Sequence, residues 1–211
     1  MPRVSAIVTA GGKGTRIKEL NQEKPMIEIM DRPIVDYVLD ALSGSKEVSE
    51  IVVSVSSATP ITEKHVQERG YRFIRTPGQG YVQDLRYAMY LLSTPYILVL
   101  PADMPLLRSE SIDAVVTAFY RSKKSSIVVG VPAKVFEEMN SEPTFTMDMN
   151  GVTAVPCGVS IVDRELMLRE EYLDEAYMIT ELTDFAINVN TVLNLGMAER
   201  ILKERREANS P

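Results

Sequence analysis

The sequence predicts a three-layer α/β/α domain, with a mostly parallel central sheet and helices on both faces. Along its 211 residues, short apolar runs typical of buried strands alternate with segments whose apolar residues have helical spacing. A glycine-rich stretch directly follows the first run, as at the ligand-binding turns of open α/β sheets. Because no repeat or linker interrupts this alternation, we expect a single domain over residues 1–211.

Seven apolar runs predict strands, at residues 4–8, 51–55, 72–74, 96–100, 127–131, 159–162 and 185–189. Apolar residues at helical spacing between them predict helices over residues 34–42, 85–92 and 112–119, and a last amphipathic helix is expected over 192–206. Thr59 followed by Pro60 is a typical N-cap and first-turn pair, which predicts a helix over residues 59–68. The Asn150-Gly151 pair is typical of a hairpin turn. It predicts a small antiparallel excursion, formed by residues 144–148 and 152–155, at one side of the sheet.

Composition excludes several classes of protein. With 23 basic and 29 acidic residues the net charge is −6, which argues against a broad nucleic-acid-binding surface. The longest apolar run is far shorter than the roughly 20 residues of a membrane span, and the first residues lack a secretory signal, so we expect a cytoplasmic protein. The only cysteine and the only histidine, Cys157 and His65, provide neither a disulfide nor a usual zinc site.

The first candidate site is the glycine-rich stretch of residues 10–16, together with Lys24. Glycines let backbone N–H groups approach phosphate oxygens, and basic side chains neutralise the phosphates, so this stretch predicts a triphosphate cradle. Its spacing matches neither the P-loop nor the dinucleotide fingerprint. The structural alternative is a tight turn with solvated cations. The candidate residues are Gly11, Gly12, Lys13, Gly14, Thr15, Arg16 and Lys24.

Asp103 is the second candidate. It comes just after the apolar run 96–100, so its carboxylate is placed at the carboxyl end of a buried strand. A carboxylate in this position is suited to hold Mg²⁺ against phosphate oxygens, because both are hard partners. The alternative is an aspartate that only caps a turn.

Two further segments carry polar groups near predicted strand ends. Gly78, Gly80 and Asp84 belong to a turn that feeds a helix, where N–H groups and polar side chains could contact a base or ribose; a plain connection is the alternative. Asn188 and Asn190 alternate with apolar residues and so share one face. One of them could complete a metal or substrate shell, and N-capping by Asn190 or Thr191 is the alternative.

These motifs together resemble the nucleotidyltransferase superfamily, which includes the MobA-like NTP transferases and moves a nucleoside monophosphate from an NTP onto a phosphate. The resemblance rests on residues 10–16, Glu23 to Pro25 and residues 100–103. Within that superfamily, the spacing from Arg16 to Lys24 and the segments 78–85, 156–158 and 188–191 resemble the archaeal adenosylcobinamide-phosphate guanylyltransferases of cobalamin biosynthesis.

The resemblance implies a Rossmann-like nucleotidyltransferase fold, GTP and adenosylcobinamide phosphate as partners, Mg²⁺ as cofactor, and a protein that could form a homodimer. It also implies that Gly11, Gly158 and Asn188 serve nucleotide binding or turnover. Because the attacking group is already an anionic phosphate, no general base is expected, and Cys157 is not expected to act as a nucleophile.

Two other functions remain open at this stage. One is a guanylyl- or cytidylyltransferase that acts on another acceptor, such as molybdopterin or a sugar or alcohol phosphate. The other is a nucleotide-sensing module without catalysis, which would be expected to lack the metal carboxylate or the loop cations. This chain has both.

Overall fold

The computed structural model describes residues 3–12, 22–139, 143 and 145–208. They form ten strands and seven α-helices. The strands are β1 (Val4–Thr9), β2 (Glu28–Ile29), β3 (Arg32–Pro33), β4 (Val48–Val55), β5 (Arg72–Arg75), β6 (Tyr96–Pro101), β7 (Ser126–Pro132), β8 (Met147–Met149), β9 (Val152–Asp163) and β10 (Glu175–Ile179). The helices are α1 (Ile34–Gly44), α2 (Pro60–Glu68), α3 (Tyr81–Tyr90), α4 (Ser109–Ser122), α5 (Ala133–Glu138), α6 (Arg164–Leu168) and α7 (Val192–Ala208).

The main sheet has the strand order β10-β7-β9-β6-β1-β4-β5, with β8 paired to β9. β1 is parallel to both β4 and β6, β4 is parallel to β5, and β7 is parallel to β10. Only β9 runs against this direction, because it is antiparallel to β6, to β7 and to its hairpin partner β8. The predicted mostly parallel sheet with a small antiparallel part is therefore confirmed.

Helices cover both faces of this sheet. Along β1, Ala6 and Val8 pack into a core with α1, α2, α4 and α7, whereas Ile7 faces a second core with α3 and α6. This alternation follows from the two-residue period of a strand and explains why Ala6, Ile7 and Val8 are apolar in succession. The three layers predicted from the sequence are present. Within the described part of the chain, no helix is long and apolar enough to cross a membrane.

The antiparallel part does not lie where the sequence suggested. β9 is inserted in the middle of the sheet, between β6 and β7, instead of at one side. The hairpin turn itself was predicted correctly, because Asn150 and Gly151 have the positive φ values of 54° and 81° that the β8–β9 turn requires. The turn residues determine only that β8 and β9 pair with each other. The other neighbours of β9, β6 and β7, are determined by contacts between residues far apart in sequence.

The predicted strand over residues 185–189 is wrong. Thr183–Phe185 forms a 3₁₀ turn and residues 187–190 have no regular structure, although Phe185, Ile187 and Val189 are buried in the core. The seventh strand of the main sheet order is instead β10, at its edge. None of the side chains of β10 is fully buried, so its apolar pattern is weak and the strand was missed. Residues 185–189 resemble a strand in composition because their apolar side chains are buried in the core.

Parallel strands bring several loops to one edge of the sheet. β1, β4, β5 and β6 all end there, so the segments that follow Thr9, Val55, Arg75 and Pro101 lie side by side. Such an edge is where open α/β sheets bind their ligands. The predicted glycine loop, the 78–84 loop and Asp103 all belong to these segments.

Candidate active site

Asp103 lies two residues beyond β6, and its side chain is 12% exposed. Oδ1 accepts a hydrogen bond of 3.1 Å from Asn188 Nδ2, and Oδ2 forms an ion pair with Lys24. The backbone oxygen of Asp103 accepts a 2.9 Å hydrogen bond from the N–H group of Val189. The carboxylate is thus directed at a cation and an amide on two other segments.

Lys24 connects Asp103 to the second asparagine. Its Nζ donates to Asn190 Oδ1 at 2.8 Å while it pairs with Asp103 Oδ2. The lysine side chain is only 19% exposed, so these two oxygens offset the cost of withdrawing the ammonium group from water. We call Lys24, Asp103, Asn188 and Asn190 the polar cluster.

Glu23 holds Lys24 in place and was assigned no separate role from the sequence. Its Oε1 accepts from the N–H group of Ile61, and its Oε2 accepts from the N–H group of Thr62, each at 2.7 Å; Thr62 Oγ1 donates to the same Oε2 at 2.6 Å. These N–H groups belong to the first turn of α2, where a carboxylate is also favoured by the helix dipole. The start of α2 was predicted at Thr59. The sequence around Thr59 does not indicate that the acceptor for its first N–H groups is Glu23, which lies 38 residues before Ile61.

The two asparagines share one face of an irregular segment, as their spacing predicted. Ile187 and Val189, which alternate with them, are buried. The N-cap of α7 is Thr191, whose Oγ1 accepts from the N–H group of Asn194 at 3.1 Å. Capping is therefore carried out by Thr191, and the Asn190 side chain remains directed at Lys24.

The glycine loop is described as far as Gly12. The backbone oxygen of Gly11 accepts a 2.7 Å hydrogen bond from Ser56 Oγ, and a Cβ on Gly11 would lie 3.3 Å from the backbone of Val55 and Ser56. A side chain at Gly11 would thus be crowded against the end of β4, whereas Gly12 has open space around it. The other predicted cradle residues, Lys13, Gly14, Thr15 and Arg16, lie outside the described residues, so their roles stay predictions.

The 78–84 loop follows β5 and is closed by its own side chain. Asp84 Oδ1 accepts from the N–H groups of Gly78 and Gln79, at 2.9 and 3.1 Å. Gly78 and Gly80 have φ values of +73° and +128°, which residues other than glycine rarely adopt. Asp84 therefore shapes the loop, and contact with a base or ribose stays a prediction for Gly78, Gly80 and Asp84.

Gly158 borders the strand that leads to Asp103. Its φ is +85°, and a Cβ there would lie 3.4 Å from Cγ of Pro101, an ordinary contact. The neighbouring Cys157 is buried, and burial raises the pKa of its thiol to about 12. A thiol of this kind keeps its proton at neutral pH, which agrees with the expectation that it is not a nucleophile.

The polar cluster combines a carboxylate, an ammonium group and two amides at a ligand-binding edge. It contains no imidazole, since His65 lies on α2 with its Nε2 2.8 Å from Asp36 Oδ1. No group of three or more metal-ligating His, Cys, Asp or Glu side chains occurs within the described ranges. Such a site is equipped to bind and neutralise charged oxygens.

Three comparisons place this geometry among known proteins. Residues 6–149 match the MobA-like NTP transferase domain. The adenosylcobinamide-phosphate guanylyltransferase of Methanocaldococcus jannaschii is 32% identical over 95% of this chain and 98% of its own length. A molybdenum cofactor guanylyltransferase of Shewanella woodyi is 25% identical over 54% of this chain and 56% of its own length.

Solved structures support the fold independently of sequence. The structure of CMP:2-keto-3-deoxy-manno-octonic acid synthetase complexed with CTP superposes with a TM-score of 0.77, covering 97% of this chain and all of that one, at 14% identity. The domain match covers more than half of the chain and the M. jannaschii protein aligns with nearly all of it. The chain therefore belongs to the MobA-like NTP transferase family.

Proposed function

We propose that this protein transfers GMP from GTP to the phosphate of adenosylcobinamide phosphate and releases pyrophosphate, a step of cobalamin biosynthesis. The observation that carries the proposal is the near full-length similarity to a guanylyltransferase of this specificity. The similarity to the molybdenum cofactor enzyme covers only about half of the chain. The polar cluster lies within the part that the full-length match includes.

The reaction exchanges one phosphoanhydride bond for another. A phosphate oxygen of the acceptor attacks the α-phosphorus of GTP, a new P–O bond forms, and the bond to the β-phosphate breaks with its electron pair leaving on pyrophosphate. The attacking oxygen is already anionic, so no proton has to be removed from it. Catalysis then consists of in-line alignment and neutralisation of charge, which a cluster without a general base can supply.

The residues of this chain divide those tasks. Lys24 is the described cation closest to Asp103 and would neutralise phosphate oxygens that come within its reach. Gly11 allows the backbone to pass close to the phosphates, and the predicted roles of Lys13 and Arg16 are to receive the leaving pyrophosphate. Asn188 and Asn190 hold the carboxylate and the ammonium group at fixed positions, which pre-organises the cluster.

Mg²⁺ is the proposed cofactor, and the donor set fits it. Asp103 Oδ2 and Asn190 Oδ1 are hard oxygen ligands, and both contact the same cation, the Lys24 ammonium group. The space between these two oxygens thus already favours positive charge. When bound, Mg²⁺ would neutralise the triphosphate, with Asp103 as its protein ligand and Asn190 or Asn188 as a further oxygen donor.

We assign the nucleoside to the 78–84 loop, which lies across the edge of the sheet from the polar cluster.

A cytoplasmic location is proposed because the nucleoside triphosphate substrate is available there. We also propose a homodimer, which sedimentation velocity would test directly: a single species at the monomer mass over the micromolar range would contradict it.

The decisive experiment offers each NTP with Mg²⁺ and adenosylcobinamide phosphate, and measures pyrophosphate release and product mass. We expect the GDP-linked product from GTP, with much slower turnover of ATP and CTP. Comparable turnover of all three would refute GTP specificity. Transfer only to molybdopterin or to a sugar or alcohol phosphate would identify the alternative acceptor, and nucleotide binding without any transfer would identify a sensing module.

A further inference from the structure

Asp184 lies in the 3₁₀ turn that precedes the asparagines of the polar cluster, and it is the centre of a buried ionic contact. Its side chain is 1% exposed. Oδ2 accepts a 2.8 Å hydrogen bond from Arg108 Nε and another from the hydroxyl of Ser111, while Oδ1 lies 2.6 Å from a terminal nitrogen of Arg205. Three segments of the chain therefore meet at one carboxylate: the start of α4, the 3₁₀ turn and the end of α7.

Arg205 extends this contact to the loop that carries Asp103. Its two terminal nitrogens donate to the backbone oxygen of Leu106 at 2.7 Å and to Thr183 Oγ1 at 2.9 Å. Leu106 comes three residues after Asp103, and Asp184 comes four residues before Asn188. The same guanidinium group thus joins two of the three segments that supply the polar cluster, the Asp103 loop and the segment of the asparagines.

The charge of Asp184 is stabilised within this environment. Burial by itself raises the pKa of the carboxyl group, but hydrogen bonds from Arg108 and Ser111 and the charges of Arg205 and Arg108 outweigh burial and leave the pKa below its usual value. The carboxylate is therefore ionised at neutral pH. Removing its charge would leave guanidinium groups without their partner, which is costly in a buried contact.

The segment that carries the asparagines depends on such a contact because it is not part of the sheet. Residues 187–190 have no regular structure and no strand partner. At the site itself, this segment meets the Asp103 loop through the Val189 N–H to Asp103 oxygen bond of 2.9 Å and the Asn188 to Asp103 bond of 3.1 Å. Besides these two hydrogen bonds, the segment is held by the burial of its apolar side chains, Ile187 and Val189.

We propose that Asp184 is a positioning residue, which with Arg205 fixes the loop after β6 against the 185–190 segment and so sets the distances within the polar cluster. The proposal rests on the proposed function, in which that cluster binds the triphosphate. Asp184 does not touch substrate in this assignment; it acts through Asp103, Asn188 and Asn190.

The test compares Asp184→Asn with a matched control, Asp36→Asn. Asp36 is also a nearly buried carboxylate with two basic partners, Arg69 at 2.6 Å and His65 at 2.8 Å, but it joins α1 to α2. Both variants lose one charge from a buried ionic contact and are expected to lose thermal stability. We expect kcat/KM for GTP to fall about 10- to 100-fold in Asp184→Asn, as for a displacement near 1 Å, and less than about twofold in Asp36→Asn.

A second measurement does not depend on turnover. In protein labelled with ¹⁵N-asparagine, the side-chain amide signals of Asn188 and Asn190 report their bonds to Asp103 and Lys24. We expect Asp184→Asn to shift these signals and Asp36→Asn to leave them in place. If the wild-type protein proves inactive with GTP, the amide signals still test the positioning role, so the two proposals fail separately.

Arg205→Lys serves if Asp184→Asn does not fold. It keeps a positive charge but loses the forked geometry that reaches Leu106, Thr183 and Asp184 together. The same shift of the asparagine signals is expected, with a smaller loss of kcat/KM. The proposal would be overturned if the asparagine signals do not move in folded Asp184→Asn or Arg205→Lys. It would also be overturned if Asp184→Asn and Asp36→Asn lose kcat/KM equally. Asp184 would then only stabilise the fold.

Discussion

The two sides of the proposed site are built in different ways. In the polar cluster, the hydrogen-bonded side chains are 79, 85 and 166 residues apart in sequence. In the 78–84 loop, Asp84 bonds to backbone groups only five and six residues away. The first depends on the whole fold, whereas the second is a local turn.

In the proposed assignment of the site, this difference separates nucleotide binding from catalysis. A local loop needs only its own turn residues to form a surface for a nucleoside, and it can adjust when the nucleoside arrives. The polar cluster places charge at fixed positions, which is the property that stabilises a transition state. Changes in the cluster should therefore lower kcat, and changes in the loop should raise the KM for the nucleotide.

Asp103→Asn should have the largest effect. The substitution keeps the shape of the side chain but removes the charge that pairs with Lys24, and kcat should fall about 10²- to 10³-fold. Pyrophosphate release at limiting Mg²⁺ measures this. Asp174→Asn is the control, because Asp174 pairs with Lys124 at 2.8 Å at the opposite edge of the sheet. Near-normal turnover of Asp103→Asn with unchanged thermal stability would reduce Asp103 to a turn residue.

Gly158→Ala tests the border of the cluster. An alanine at a φ of +85° should cost about 1 to 2 kcal/mol of stability, whereas its methyl group would only touch Pro101. Gly70→Ala also places an alanine at a positive φ, +76°, with nothing near the added methyl group. Equal shifts in thermal unfolding, with inactivation confined to Gly158→Ala, would confirm that backbone at Gly158 approaches the ligand. Equal activity of the two would argue against it.

Asp84→Ala should weaken nucleotide binding without stopping the reaction. The loop loses the acceptor of its two N–H groups, and a cost of about 1 kcal/mol corresponds to roughly a fivefold higher KM for GTP, with kcat within about twofold. Steady-state kinetics at saturating acceptor separate the two constants, and Asp84→Asn, which keeps an acceptor oxygen, should lie in between. A kcat effect larger than the KM effect would place Asp84 in the chemistry.

Cys157→Ala should have the smallest effect on activity, with turnover within about twofold of wild type, because the thiol is buried and protonated. Burial raises its pKa to about 12, so from about pH 9 upward the unfolded thiol loses a proton that the folded one keeps. The folded state should therefore lose stability as pH rises from 9 towards 12, and Cys157→Ala should remove this part of the loss. Denaturant unfolding from pH 7 to 11 measures it, and complete inactivation of the folded variant would make Cys157 essential.

The sequence by itself determined the layers, most of the elements and the edge of the sheet at which we propose that the ligand binds. Buried parallel strands are apolar on both faces, so β1, β4, β6 and β7 were recognisable from the short apolar runs that they contain. Helical spacing identified α1, α3 and α4, and turn chemistry identified the β8–β9 hairpin. Because parallel strands end at one edge, Asp103 and the glycine loop could also be placed together without coordinates.

Only the tertiary structure decided which distant groups meet. The place of β9 between β6 and β7, the irregular course of residues 187–190, and the contacts of Glu23 with α2 and of Asp184 with Arg205 each join segments far apart in sequence. Local patterns record burial and backbone preference, and both are properties of neighbouring residues. The partner of a charged side chain is set by how whole elements pack, because the cost of burying a charge is offset only when the complete fold brings the opposite charge to it.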